Sequence, residues 1–150
     1  MTRILFVCHG NICRSPMAQF VMQKYVDDAG LSGQFVIDSK ATSTEELGNP
    51  PYPPAVAKLR REGIPMKTHH ASQIVKADYE RYDYIIAMDT NNMRNISRVW
   101  PQDPEHKIFK LLDFTSRGGD IADPWYSGDF DATYDDITEG CSALLKSIQH

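Results

Sequence analysis

The stretch Val7-Cys8-His9-Gly10-Asn11-Ile12-Cys13-Arg14-Ser15-Pro16 places a thiol and a guanidinium on one short loop, with five residues between Cys8 and Arg14. That spacing alone recurs by chance, and its context sharpens it. Gly10 and Asn11 are residue types that tolerate left-handed backbone. A loop so bent turns successive N–H groups inward and forms a nest for an oxyanion. A helix opening at Ser15-Pro16 adds its free N–H groups and the positive end of its dipole. At the base of such a nest the same N–H groups stabilise a thiolate, which makes Cys8 a nucleophile. Arg14 supplies a planar fork that holds two phosphoryl oxygens at once. The chemistry this predicts is attack of sulfur on the phosphorus of a monoester, followed by release of the phosphoryl group to water. It needs no metal and no cofactor.

A phenolate leaving group needs a proton, and general acid catalysis contributes roughly 10²–10⁴ in rate. Asp123 heads Asp123-Pro124-Trp125-Tyr126, which follows the pliant Ser116-Arg117-Gly118-Gly119. On residue type alone, an aspartate before proline reads as a turn residue before it reads as an acid.

The elements that must carry these residues follow from periodicity. Arg3–Val7, Phe35–Ile37, Tyr84–Met88 and Ile108–Leu112 are short apolar runs that read as strands. Ser15 reads as the N-cap of the first helix, Pro16 as its first residue, and Met17, Phe20, Val21, Tyr25 and Val26 as its apolar face. Thr42–Pro54 carries four prolines and reads as a loop; a helix follows from about Pro54 to Glu62, closed by Gly63. Asp89 or Thr90 caps a helix running through Met93, Ile96 and Val99. In the last helix Phe130, Tyr134, Ile137, Cys141, Leu144, Leu145 and Ile148 advance by threes and fours, which places Cys141 in the core. Strands apolar on both faces, alternating with helices, predict an α/β fold: one domain over 1–150, a three-layer, doubly wound sandwich with a four-stranded parallel sheet between helices. Ligands in such folds sit beyond the carboxyl ends of strands, where the strand order reverses.

Composition narrows the class. The chain has 150 residues, 41% hydrophobic and 24% charged, close to globular averages. Its net charge of −4 argues against nucleic-acid binding, so any anion must be held locally against the overall field. The apolar run Ile4–Cys8 is far short of the ~20 residues that span a bilayer, and no cleavable export signal is read at the start. Three cysteines, an odd number, do not suggest a disulfide framework. Free thiols in a reducing cytoplasm are the expectation.

Cys8 to Pro16 resembles the phosphate loop of the low-molecular-weight protein tyrosine phosphatases. The likeness continues through Asp38-Ser39, Gly48-Asn49-Pro50-Pro51, Met88-Asp89 and Asp123-Pro124-Trp125-Tyr126, in order along nearly the whole chain. The resemblance implies the phosphotyrosine phosphatase I-like fold and phosphotyrosine-bearing proteins as substrates. Inorganic phosphate and other oxyanions are implied as product or inhibitors. It makes Asp123 the general acid and base, and Ser15 a donor that eases departure of the Cys8 thiolate. The backbone of His9, Gly10, Asn11, Ile12, Cys13 and Arg14 would bind phosphate. Asn11, Ser39 and His69 would form a network beneath the loop, and Asp89 would shape the site. Trp125 and Tyr126 would wall the cleft, and Cys8 and Cys13 would form a reversible protective disulfide.

Two departures bear on specificity. Glu45 stands near a position where the family often has an aromatic residue, and Tyr52 stands where it commonly has aspartate. Tyr52 is therefore expected to rebuild the aromatic wall, and Glu45 to repel acidic peptides. Three rival readings are weaker. An arsenate reductase of similar fold would need relay cysteines, and none lies between Cys13 and Cys141. A phosphoarginine phosphatase of the family tends to have threonine at the place of Ile12. A sugar-transport phosphocarrier would need neither Arg14 nor Asp123.

Overall fold

The computed structural model describes residues 1–149. Four strands, β1 (Thr2–Cys8), β2 (Phe35–Ala41), β3 (Tyr84–Ala87) and β4 (Ile108–Lys110), lie parallel in the order β2-β1-β3-β4. Strand β1 is central, and its run Ile4–Val7 is fully buried. Because side chains alternate across a strand, Ile4 and Phe6 enter one core while Leu5 and Val7 enter another. The first core is closed by helices α1 (Arg14–Asp28) and α6 (Phe130–Gln149), with Met17, Val21, Ile137, Cys141 and Leu144 among its buried residues. The second is closed by α3 (Asp78–Arg81) and α4 (Thr90–Val99) through Tyr79, Ile96 and neighbouring Trp100. Helices thus cover both faces of the sheet, as predicted. Helix α2 (Pro53–Arg61) packs on α6, and α5 (Pro124–Ser127) is a single turn.

The structure corrects the sequence reading at three element ends. Helix α1 begins at Arg14 with Cys13 at its N-cap position, so Ser15 does not cap it and Pro16 is its third residue. No side chain caps this helix. The Ser15 hydroxyl is instead drawn beneath the loop by Asn11 and Cys8. The first helical bond runs from Met17 N–H to the Cys13 carbonyl, leaving the Arg14 and Ser15 N–H groups ahead of it. Strand β4 is shorter than the apolar run suggests. Leu111 and Leu112 share one core, which a strand would forbid, so they turn into a 3₁₀ segment, Leu111–Phe114. Strand β2 is longer, extending through polar Asp38-Ser39-Lys40, because as an edge strand it buries only alternate residues.

Helix α4 starts as the sequence implies. Asp89 accepts the Asn92 N–H at 2.7 Å, and the Asn92 side chain accepts the Asp89 N–H at 3.3 Å, a reciprocal cap. Strand β1 has β2 on one side and β3 on the other. The connections leaving β1 and β3 therefore diverge, and a crevice opens between Cys8 and Asp89.

Candidate active site

Cys8 ends β1, almost fully buried. The chain then turns at Asn11, whose φ of 59° is left-handed. Gly10 was expected to share that strain, yet it has no positive φ; its Cα packs instead against Glu46, whose Cγ would lie 3.4 Å from an added Cβ. The turn at Asn11 directs its N–H to Cys8 Sγ at 3.3 Å.

Hydrogen-bond chemistry fixes the polarity of what lies beneath. The Ser72 N–H can only donate, so the Asn11 atom 3.3 Å away is Oδ1. That oxygen also accepts from His69 Nε2 at 3.0 Å, which assigns the imidazole proton to Nε2. Burial holds the His69 pKa below its ordinary value, favouring the neutral ring. Asn11 Nδ2 then donates to Ser15 Oγ at 2.8 Å and to Ser39 Oγ at 2.9 Å. With its oxygen already accepting, the Ser15 hydroxyl is left to donate to Cys8 Sγ at 3.0 Å. Two donors therefore face the sulfur. The predicted trio Asn11, Ser39 and His69 is brought together, with Ser15 in line.

Arg14 is only 2% exposed. Its Nη1 donates to Asp89 Oδ2 at 2.6 Å and to the Ile121 carbonyl at 2.9 Å, and its Nη2 faces Asp123 Oδ2 at 3.4 Å. Burial opposes the charge, but Cys8 and the two carboxylates outweigh it and hold the guanidinium pKa above its usual value. The Ile121 N–H in turn donates to the Met88 carbonyl at 2.9 Å, pinning the acid-bearing loop to the end of β3. Asp123 is the N-cap of α5: its Oδ1 accepts the Trp125 N–H at 3.0 Å while Oδ2 faces Arg14. The turn reading and the acid reading of Asp123 are compatible, because one oxygen serves each.

These groups line a cleft of about 110 Å³. Trp125, half exposed, and Tyr126, largely exposed, line it together with His9, Glu45 and Glu46. His9 Nε2 and Glu45 Oε2 meet at 3.1 Å. Tyr52, expected as a wall, does not line the cleft. Its ring packs behind Trp125 with centroids 4.7 Å apart, and its N–H donates to the Ile12 carbonyl at 2.8 Å, so it buttresses both the wall and the loop. Cys8, Cys13 and Cys141 are free thiols, with Cys141 buried in the core. Burial, then the neighbouring charges of Cys8 and Asp123, push the Cys13 thiol up to about 12.

Sequence reasoning missed Glu46, the Ile121 carbonyl, Ser72 and Gln19. The carbonyl and the Ser72 N–H are backbone groups with no side-chain signature. Gln19 had one: it lies one turn after Ser15, on the same helix face, amid apolar neighbours. Among the described residues, no three His, Cys, Asp or Glu side chains gather as a metal-ligand set, and no helix is long and apolar enough to cross a membrane.

Fold and site together define an α/β protein with a cysteine, an arginine and an aspartate lining one cleft at its topological switch point. The chain matches the profile described as "Low molecular weight phosphotyrosine protein phosphatase" over residues 3–150. A protein of that name from Schizosaccharomyces pombe is 40% identical over 151 residues, covering 97% of this chain and 96% of its own. The crystal structure of YfkJ from Bacillus subtilis superposes with a TM-score of 0.96 at 38% identity, covering 99% of this chain and 95% of that one. A Drosophila arginine phosphatase structure gives a TM-score of 0.87 at 28% identity, covering 100% and 99%. The chain belongs to the low-molecular-weight phosphotyrosine protein phosphatase family.

Proposed function

We propose that this chain hydrolyses phosphotyrosine in proteins, and aryl phosphates generally, through a phosphocysteine intermediate on Cys8. One observation carries the proposal: Cys8 Sγ faces two donors, the Asn11 N–H and the Ser15 hydroxyl, in a cleft that Arg14 and Asp123 also line. The Arg14 fork and the loop amides from His9 to Arg14 take the phosphoryl oxygens, so charge developing in flight meets donors already in place. Sulfur attacks phosphorus, the aryl P–O bond breaks, and Asp123 gives its proton to the departing oxygen. A bound dianion competes for the Arg14 nitrogen that Asp123 faces, which frees the carboxyl to carry that proton. In the second step Asp123 removes a proton from water, the water oxygen attacks phosphorus, and the S–P bond breaks. The thiolate departs accepting a hydrogen bond from Ser15.

The aromatic wall of Trp125 and Tyr126, buttressed by Tyr52, suits a flat ring. A phosphoserine is too short to bring its phosphorus from the mouth to the sulfur. Inorganic phosphate occupies the same nest as product. We place the reaction in the cytoplasm, where the thiol stays reduced. A peroxide would oxidise Cys8 to its sulfenic acid as its own O–O bond breaks, and the Cys13 thiol would then displace water from that sulfur to close a disulfide.

Steady-state kinetics on one peptide carrying phosphotyrosine, phosphoserine or phosphoarginine tests the assignment, with arsenate reduction as control. Phosphotyrosine should lead by at least about tenfold in kcat/KM. Cys8→Ser should abolish turnover while orthovanadate still binds. A phosphoarginine preference would move the protein to the activity named for the Drosophila structure.

A further inference from the structure

We propose that Gln19 is a positioning residue for the phosphatase reaction: its amide oxygen sets the direction of the proton chain that ends on Cys8. This rests on the functional reading above and adds to it a group outside the cleft. Gln19 lies on α1, 4% exposed, and none of its atoms lines the cleft. Its Nε2 is 3.4 Å from the Ile37 carbonyl, which can only accept, so the other amide atom, 2.6 Å from Ser39 Oγ, is the oxygen. Gln19 Oε1 therefore takes the Ser39 proton.

That acceptor matters because of what Ser39 does without it. Asn11 Nδ2 donates to both Ser15 and Ser39, so each hydroxyl oxygen is already accepting and each proton must go elsewhere. Ser15 sends its proton to Cys8 Sγ and Ser39 sends its own to Gln19. Gln19 thus does for Ser39 what the nucleophile does for Ser15. Remove the oxygen, and the Ser39 proton has no acceptor among its partners. The arrangement that satisfies it turns the Asn11 amide over, so that Oδ1 accepts from Ser39. The same flip points Oδ1 at Ser15, which then donates to Asn11 and abandons the sulfur. Its cost is an Asn11 NH₂ group facing the Ser72 N–H and the His69 Nε2–H. With Gln19 present the flip gains nothing; without it, two poorly satisfied arrangements compete. The chain is bracketed by two backbone groups of fixed polarity, Ser72 N–H and Ile37 C=O, and Gln19 is the side chain that connects Ser39 to the second.

Loss of the Ser15 donor falls hardest on the step in which the thiolate leaves phosphorus. The test compares Gln19→Met, of similar volume but without an acceptor, with Gln19→Glu, which keeps one. In Gln19→Met, kcat for p-nitrophenyl phosphate should fall about tenfold, with a pre-steady-state burst of nitrophenol as breakdown of the phosphoenzyme becomes limiting. The pH profile of Cys8 alkylation by iodoacetate should move to higher pH. Gln19→Glu should keep kcat within about threefold of the parent. A folded Gln19→Met with the parent's burst and alkylation profile overturns the proposal, and so does a Gln19→Glu as impaired as Gln19→Met. Should Gln19→Met not fold, Ser39→Ala alone supplies the decision, because it removes the proton that needs the acceptor while Ser72 N–H still fixes the Asn11 amide. Ser39→Ala should keep the parent's burst and alkylation profile, and a displacement of that profile to higher pH overturns the proposal. Alkylation requires no substrate, so it reads the proton chain even if the phosphotyrosine assignment fails.

Discussion

Asp89 holds two positions at once. One carboxylate oxygen caps α4 through the Asn92 N–H, and the other pairs with Arg14 at 2.6 Å. The two duties are separable because asparagine is as good a cap as aspartate but carries no charge. Asp89→Asn should leave thermal stability near the parent's while lowering kcat/KM on aryl phosphates, because the guanidinium loses the anion that orients its fork. Asp89→Ala should add the loss of the cap, about 1 kcal/mol, read as a lower midpoint in urea. Equal unfolding midpoints for the two variants would show that the cap contributes nothing. At this scale residue type and spacing pointed to Cys8 and Arg14, while Asn11, Ser39, His69 and Asp123 were named by the family resemblance; the structure hydrogen-bonds Asn11 to Cys8, Ser39 and His69, and sets Asp123 beside Arg14. Ser15 was identified with a wrong reason added, since a serine before proline looks like a cap until Asn11 and Cys8 compete for its hydroxyl. Gln19 carried a signal in its place one turn after Ser15, and only the direction of its amide needed the structure.

Elements were legible where periodicity runs long and illegible where tertiary packing decides an end. The apolar run Ile108–Leu112 reads as one strand, yet Leu111 and Leu112 must enter the same core. The 3₁₀ turn that allows this also creates a close approach to α6. A Cβ on Gly140 would sit 2.5 Å from Leu111 Cγ, and Leu111 is fully buried with little room to retreat. Replacing a mid-helix glycine by alanine favours the helix by about 1 kcal/mol. Overpacking a rigid core costs about 1–3 kcal/mol, and here the obstruction is central to the side chain rather than at its tip. The second effect should win. Gly140→Ala is expected to lower Tm by a few degrees, about 2–4 °C per kcal/mol for a chain this size, with kcat and KM unchanged at 25 °C. A raised Tm would mean that Leu111 has somewhere to go.

For the molecule as a whole, sequence gave the layers but not the strand order, because apolar runs say that strands are buried without saying beside which neighbour. It also gave the charge, and charge has a consequence the fold makes local. The net charge is −4, and Glu45 and Glu46 put two of the carboxylates in the lining of the cleft that Trp125 and Tyr126 share. Arg14 is almost fully buried and, in the proposed mechanism, is taken up by the phosphoryl group, so peptide residues flanking the phosphotyrosine would meet an acidic rim. Between exposed charges the field is screened over about 10 Å at 0.1 M salt and about 3 Å at 1 M. A phosphotyrosine flanked by lysine or arginine should therefore exceed one flanked by aspartate or glutamate in kcat/KM at low salt. The gap should close as ionic strength rises, mainly because the acidic peptide improves. Glu45→Lys should narrow it at low salt, where the field acts, and change little at high salt. A preference that survives high salt undiminished would assign it to direct contacts in the cleft and remove the rim's field as its cause.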